Sequence, residues 1–457
     1  MSTIAIIPYP ESGHLNGTFG LARQLRARGH EIVYLPIHDF VEQVHAEGFA
    51  ASPILERDYP RGTLARQQDE LYQLRGVSQL LRIRANSGRL FAAIARSTLD
   101  AMLRAAGADL VLFDRELPAA GLLGHRAGLP ICALSTTLSV GPDDDGPPLT
   151  TDVAPGSAYR ARSAWAWRKI AMRRRLLDHG VRLAGIAPWL PQYLALADHC
   201  GFPRDRVLPH RGWRPALAVP QLVICPAAFD LPAVRACVER DAMRAYAAPF
   251  VDLARREPAP PVLTPAGPLV LCSLGSQPHR LATCRDLFRA LVAAARLRPH
   301  VHFVLAIGRH LRPAELGELP PNASVHATVP QLALLARASL FVTHAGLNSV
   351  KEAIVSGVPM LAFPLGFDQP GNAVRIEHHG LGLRGDVRRT SPLVLGRMID
   401  RVLHGRAFAT AVRSMREIFL AADRRGAGLD FVEQLLQRHS SGASARQSAS
   451  ARSSVNA

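Results

Sequence analysis

The sequence predicts an α/β chain of two doubly wound domains facing across a cleft, and three observations carry that prediction. Short apolar, β-branched runs at residues 4–7, 32–35, 110–113, 269–273, 301–307 and 339–343 alternate with stretches whose apolar residues fall at helical spacing. A stretch rich in proline and alanine with little strand signal, residues 227–267, separates two such series. The polar residues suited to chemistry stand just after strands, at the carboxyl edge where open parallel sheets bind ligands. The expected boundaries are 1–226 for the first domain, 227–267 for the linker, 268–439 for the second domain and 440–457 for a tail with too little apolar surface to order itself.

The first half opens with a strand at 4–7, a loop at 8–16 and an amphipathic helix at 18–28 that ends at Gly29. The loop carries Ser12-Gly13-His14-Leu15-Asn16, which lacks the glycine spacing of a dinucleotide phosphate loop. An imidazole at the end of the first strand faces the cleft, and a neutral ring near pH 7 suits the role of general base for an alcohol. The strand at 110–113 ends in Asp114 at the same sheet edge, where a carboxylate fixes the tautomer of such a ring and stabilises its cation. Asp109 stands at the wrong end of that strand, and Glu116 is a nearby competitor. Residues 71–104 read as one or two leucine-rich helices, and residues 139–157 as a loop. In that loop Asp143-Asp144-Asp145 reads as solvated in preference to metal-binding. Residues 164–200 are helical, and Trp165, Trp167, Trp189 and Tyr193 supply apolar surface of the kind that usually makes core.

In the second half Gly275 and Ser276 follow the strand at 269–273, small residues that let a backbone approach phosphate. After the strand at 339–343, His344, Ala345 and Gly346 turn the chain into a helix at 347–356, which opens with Asn348 and Ser349, both suited to capping. Strand, glycine turn and helix N-terminus together present unpaired N–H donors and a partial positive charge to an anion. Glu352 lies one helical turn beyond Asn348 on the same face. A strand at 359–363 is followed by Asp368 and Gln369. Two more helical segments run from Gly380 to about residue 437.

Pro330-Gln331, His344-x-Gly346-x-Asn348-Ser349-x-x-Glu352 and Asp368-Gln369, in that order and spacing, resemble the nucleotide-sugar signature of family 1 UDP-glycosyltransferases. The resemblance implies the GT-B architecture of two Rossmann-like domains. It also implies Gln331 beside uracil, Glu352 on the ribose hydroxyls, His344, Ser349 and Ser276 on the diphosphate, and Asp368 and Gln369 on the sugar, with Val329, Gly346 and Asn348 also among the donor-binding residues. Plant members carry a tryptophan where this chain has Thr328, and Leu347 replaces the tryptophan of their HCGWNS run. Gly13-His14-Leu15-Asn16-Gly17 is similar to the family's G-H-x-N-P run, with a glycine for the proline that is expected to loosen the loop. Residues 24–33 and 113–130 look most like bacterial zeaxanthin glucosyltransferases. In the family's architecture residues 164–200 help line the acceptor pocket. The implied reaction is an inverting transfer of a sugar, glucose from UDP-glucose, to a hydroxyl of a lipophilic acceptor such as a carotenoid, polyketide or other natural product. His14 and Asp114 would form the base, with no metal and no bound cofactor. A UDP-sugar 2-epimerase and a non-catalytic nucleotide-sugar-binding protein are the alternatives.

Composition narrows the setting. At 457 residues, 48% of them apolar, the chain can bury the cores of two or three domains. Six cysteines without ligand spacing read as reduced and mostly buried, and with no signal peptide or spanning segment in view the expectation is a cytoplasmic protein. The formal charge of +17 is nearly all arginine, Lys169 and Lys351 being the only lysines. Its densest cluster, Arg160 to Arg182, reads as a solvated helix face, with peripheral membrane contact as the alternative and no nucleic-acid motif beside it.

Overall fold

A computed structural model of the chain describes residues 1–74, 76–183, 188–209, 215–259, 267–275 and 282–439. Ser276 and the tail from Ser440 lie outside the described residues. The strands in chain order are β1 (Thr3–Ile7), β2 (Glu31–Tyr34), β3 (Ala50–Ala51), β4 (Leu110–Asp114), β5 (Ile131–Ser135), β6 (Val207–Leu208), β7 (Ala216–Leu217), β8 (Gln221–Val223), β9 (Arg244–Tyr246), β10 (Leu269–Ser273), β11 (His302–Ala306), β12 (Ala323–His326), β13 (Leu340–Thr343), β14 (Met360–Ala362) and β15 (Gly382–Arg384).

Two parallel sheets form. The first has seven strands in the order β3-β2-β1-β4-β5-β8-β9, and the second has six in the order β12-β11-β10-β13-β14-β15; β6 and β7 make a small antiparallel pair apart from both. Each large sheet reverses its strand order once, between β1 and β4 in the first and between β10 and β13 in the second. Such a reversal splays the connections apart and opens a crevice at the carboxyl ends of the two strands. The chemistry expected from the sequence sits at these two crevices. This is the GT-B arrangement.

The central strands β1, β4, β5, β10 and β13 are largely apolar and buried because both faces are covered. Leu269 and Leu271 pack on one face of the second sheet, while Val270 and Cys272 pack on the other. The first of those faces shares its core with Leu138, Val223, Cys225 and Phe229 of the first half, so the halves are joined by apolar packing beneath the cleft. Polar rivets reinforce the junction. Arg375 and Asp230 form a fully buried pair, and Asp230 also accepts a hydrogen bond from the Tyr246 hydroxyl at 2.6 Å. The buried Lys351 ammonium donates to the carbonyls of Ile224 at 3.1 Å and Pro249 at 2.9 Å.

Four expectations are corrected. The first helix is Ser12–Ala27, so His14 sits in its first turn and not in a loop, and the polar run Ser12 to Gly17 had hidden the helical period. Gly17 does not loosen anything: it is buried in that helix, where an added Cβ would lie 2.9 Å from Asn348 Nδ2. The stretch after residue 226, expected to lack strands, contributes the helix Pro232–Val238 and strand β9, which pairs with β8 at the edge of the first sheet. Among the described residues beyond Gly380 there are three helices, Pro392–His404, Arg406–Arg424 and 429–439. The last returns to the first half and buries Leu429, Val432 and Leu436 in its core.

The aspartate run also proves structural at its centre. Asp144 is buried and takes both ends of the Arg244 guanidinium at 2.9 and 3.0 Å, so only its sequence neighbours look outward. Among the described residues no cluster of three metal-ligating side chains occurs, and all six cysteines are unpaired.

Candidate active site

The first-half crevice is built from the ends of three neighbouring parallel strands. β1 delivers the chain to the helix Ser12–Ala27, while β4 and β5 run beside it in register, with Asp114 opposite Leu134. His14 Nδ1 lies 2.7 Å from Asp114 Oδ2 and 2.9 Å from Thr136 Oγ1, the first residue past β5. Asp114 is 2% exposed, and its other oxygen accepts the Glu116 N–H at 2.9 Å. With Nδ1 held by a buried carboxylate, Nε2 is the nitrogen left to exchange a proton. Burial disfavours the charged ring, but the Asp114 carboxylate through charge and hydrogen bond, helped by Glu11 and Glu116, raises its pKa to about 9. The raised pKa enlarges the imidazolium share of His14 at neutral pH, so the neutral form that serves as a base grows as pH rises.

The second-half crevice is a cradle of a different kind. His344 follows β13 in a slot between Gly275 and Gly346, where an added Cβ on either glycine would come within 2.7 and 2.5 Å of its ring. Burial lowers its pKa to about 4, so this ring is neutral and offers an N–H as a dipole, not as a charge. Ala345 turns the chain with φ of 65°, a left-handed conformation uncommon for a residue with a side chain and concentrated at functional turns. Gly346 is the N-cap of the helix Leu347–Ser356 and supplies no side-chain cap. Neither Asn348 nor Ser349 caps the helix as expected. Asn348 reaches across the cleft and donates Nδ2 to the carbonyl of Gly13, next to His14. Ser349 Oγ receives Gln331 Nε2 at 3.3 Å. The N–H groups of the first turn therefore keep their capacity for an anion.

Glu352, one turn on, is 6% exposed and doubly engaged. Its carboxylate accepts Gln331 Nε2 at 2.6 Å and Arg255 Nη1 at 2.8 Å. Val329 is half-buried beside these groups, and Leu347 lies in the core beneath them. At the far end of the cradle Asp368 is the N-cap position of the helix Gln369–His378 and accepts Asn372 Nδ2 at 2.8 Å. Burial raises its pKa, opposed by Asn372 and by the charge of His14, so the two halves of the site feel one another here. Gln369 Oε1 is occupied by the N–H groups of Leu365 and Gly366 at 2.8 and 3.1 Å, which leaves its amide nitrogen as the end available to a ligand.

The family described as UDP-glucoronosyl and UDP-glucosyl transferase matches residues 269–440, the half that holds this cradle. Oleandomycin glycosyltransferase of Streptomyces antibioticus is 32% identical over 393 residues, covering 83% of this chain and 78% of its own. The chain belongs to this glycosyltransferase family. Zeaxanthin glucosyltransferase of Pantoea ananas is 27% identical over 455 residues, covering 95% of this chain and 96% of its own. The crystal structure of the glycotransferase of kitacinnamycin aligns with a TM-score of 0.69 at 25% identity, covering 95% of this chain and 98% of that one. The protein is thus a nucleotide-sugar-dependent glycosyltransferase with a GT-B fold.

Three residues of this glycosyltransferase's site escaped the sequence reading. Thr136 was signalled only weakly, by polar residues after an apolar strand. Arg255 and Glu257 lie in the proline-rich stretch, where nothing in the spacing marks them. Glu257 pairs with Arg255 at 2.7 Å and accepts the N–H groups of Leu332 at 3.0 Å and Ala333 at 3.2 Å, fixing the short helix that begins at Gln331. A few residues earlier Asp252 pairs with Arg23 of the first half at 2.9 Å. Residues 252–257 therefore strap the first helix of one half to the Gln331 and Glu352 corner of the other.

Proposed function

We propose that this glycosyltransferase moves glucose from UDP-glucose onto a hydroxyl of a lipophilic natural-product acceptor in a single inverting displacement. The observation that carries the reading is the His14 and Asp114 dyad at one switch point, facing an uncapped helix terminus and a neutral histidine at the other. His14 Nε2, once deprotonated, takes the hydroxyl proton as the acceptor oxygen bonds to the anomeric carbon and the bond to the diphosphate oxygen breaks. Asp114 holds the tautomer and stabilises the imidazolium. His344, Ser349 and the first-turn N–H groups of Leu347–Ser356 stabilise the charge that develops on the leaving diphosphate. Glu352 holds the ribose, Gln331 the uracil, and Asp368 with the Gln369 amide nitrogen the sugar hydroxyls.

No divalent metal is needed in this reading, because the helix terminus does the work of charge neutralisation. The acceptor class takes its support from the relatives named for zeaxanthin and oleandomycin. With the family shown, no observation favours an epimerase or a non-catalytic protein. The test is mass spectrometry of products after incubation with UDP-glucose, dTDP-glucose and a panel of hydroxylated lipophiles, with the anomeric configuration read by NMR. A glucoside of inverted configuration, formed equally well in a chelator, is expected. Turnover that a chelator abolishes and magnesium restores overturns the metal-free mechanism, and retention of configuration overturns the single displacement.

A further inference from the structure

The helix Tyr159–Leu183, 25 residues long, carries an outer surface apart from the side chains of the site described above. Its inner side is committed to the fold: Ser163 and Ala166 are buried, and Trp167 donates Nε1 to the Gly146 carbonyl at 2.8 Å. Its outer side is not. Trp165, Met172, Leu176 and Leu183 are 60%, 54%, 65% and 77% exposed. At about 100° per residue these four fall within roughly 40° of one another, a straight apolar stripe about 27 Å long. Arg162, Lys169 and Arg173 border the stripe on one side and Arg168, Arg175 and Arg182 on the other, all of them exposed. Asp178, the helix's one acidic residue, lies on the opposite side and is half-buried.

We propose that this face docks the enzyme on an anionic membrane surface. The helix lies in the plane of the interface, its apolar stripe entering among the headgroups and its two basic borders meeting lipid phosphates. Charge decides between occupants. A second copy of the chain would set arginines against arginines with no carboxylate on the face to pair them. A nucleic acid would satisfy the arginines but leave the central apolar stripe against phosphates. An anionic bilayer answers both features at once. Among the described residues no helix is long and apolar enough to cross a membrane, so the contact is one of surface lying. The docking stands on the helix alone. Its use, loading a lipophilic acceptor from the bilayer, rests on the function proposed above.

The test uses the full chain and sedimentation with vesicles of phosphatidylglycerol mixed into phosphatidylcholine, beside vesicles of phosphatidylcholine alone, at physiological salt. A chain of formal charge +17 adheres to anionic vesicles through any basic patch, so the deciding variant removes apolar surface and keeps charge. Leu176→Ser with Leu183→Ser is expected to weaken binding to the anionic vesicles by about tenfold or more. Arg168→Glu with Arg175→Glu is expected to weaken it as well, and Trp165 emission to shift to the blue when vesicles are added to the unaltered protein. Unchanged binding by the serine variant overturns the proposal in favour of adsorption by charge alone. Equal binding to phosphatidylcholine overturns the need for an anionic surface. A dimer that the serine variant dissolves, with vesicle binding unaltered, assigns the face to a second copy. Affinity for UDP, retained in every variant, keeps a failure of docking distinct from a failure of folding.

Discussion

His14 and His344 each stand at the order reversal of their own sheet, and their surroundings shift their pKa values in opposite directions. Each follows a strand that flanks the order reversal of its own sheet, β1 for His14 and β13 for His344. Both rings are pushed toward neutrality by burial. For His344 nothing outweighs that push, and its pKa falls to about 4; for His14 the adjacent carboxylates win and hold it at about 9. Topology therefore sets where a polar side chain meets the cleft, and its neighbours set what it can do there. In the proposed mechanism a ring that handles protons needs Asp114, and a ring that presents a fixed dipole to a diphosphate needs to be kept from any carboxylate.

The largest effect that tests this division follows from removing the proton-handling ring. His14→Ala is expected to lose on the order of 10²–10⁴-fold in turnover, the usual worth of a positioned general base, while calorimetry finds its affinity for UDP unchanged. Asp114→Asn resembles it, since an amide orients the ring without stabilising its cation. Normal turnover by His14→Ala with a confirmed acceptor would sink the mechanism.

Next in size is the pH profile. Because the working form of His14 is the neutral one, kcat/KM is expected to climb about tenfold per pH unit and level off above about 9. Asp114→Asn moves that limb down toward the ordinary histidine value, since the leading group that raises the pKa is gone. The same groups act on stability with signs that can be checked by denaturation. The pKa of His14 is raised on folding, so its contribution is present in full below about 6.5 and is lost as pH rises through about 9. The pKa of His344 is depressed, so folding loses stability as pH falls from about 6.5 toward 4. An activity limb unmoved by Asp114→Asn would mean that another group titrates.

The donor side breaks differently. Glu352→Ala is expected to weaken UDP by roughly 1–3 kcal/mol through a lost charged hydrogen bond, with turnover at saturating donor far less affected than by His14→Ala. Arg255→Ala is expected to weaken UDP by a smaller amount, on the order of 1 kcal/mol, because it only orients the Glu352 carboxylate. Calorimetry on both singles and the double gives the coupling, and full additivity would separate Arg255 from the ribose site.

These residues also show what a sequence discloses. The helix at 347–356 was legible to the residue because a glycine turn opens it and Gly357, with φ of 76°, closes it. Asp114 was legible because a carboxylate at the end of an apolar strand has one edge of the sheet to occupy. Thr136 and Arg255 were not, since their partners stand 122 and 97 residues away and local spacing carries no such information. Asp144 was misread for the same reason: its partner Arg244 lies 100 residues on, and three aspartates in a row look solvated until one of them finds it. The start of the first helix was hidden by glycine, histidine and asparagine at positions that a helix usually gives to stronger formers.

The smallest expected effect concerns the contact between the halves. Asn348, on the donor helix, bonds the Gly13 carbonyl and packs against Gly17, so it sets how the cradle meets the dyad. Gly17 sits inside a helix without a left-handed backbone angle, and alanine there gains roughly 0.5–1 kcal/mol of helix stability over glycine. The new Cβ would lie 2.9 Å from Asn348 Nδ2, the far end of a side chain that is able to swing away. Gly17→Ala is therefore expected to keep or raise the melting temperature while turnover falls several-fold, UDP affinity staying as it was. Asn348→Ala should give the same fall in turnover, and the double variant no more than either single, because both remove one contact. If Gly17→Ala turns over at the full rate, the register of the two halves is set by the buried Arg375 and Lys351 contacts beneath the cleft, and Asn348 serves the donor alone.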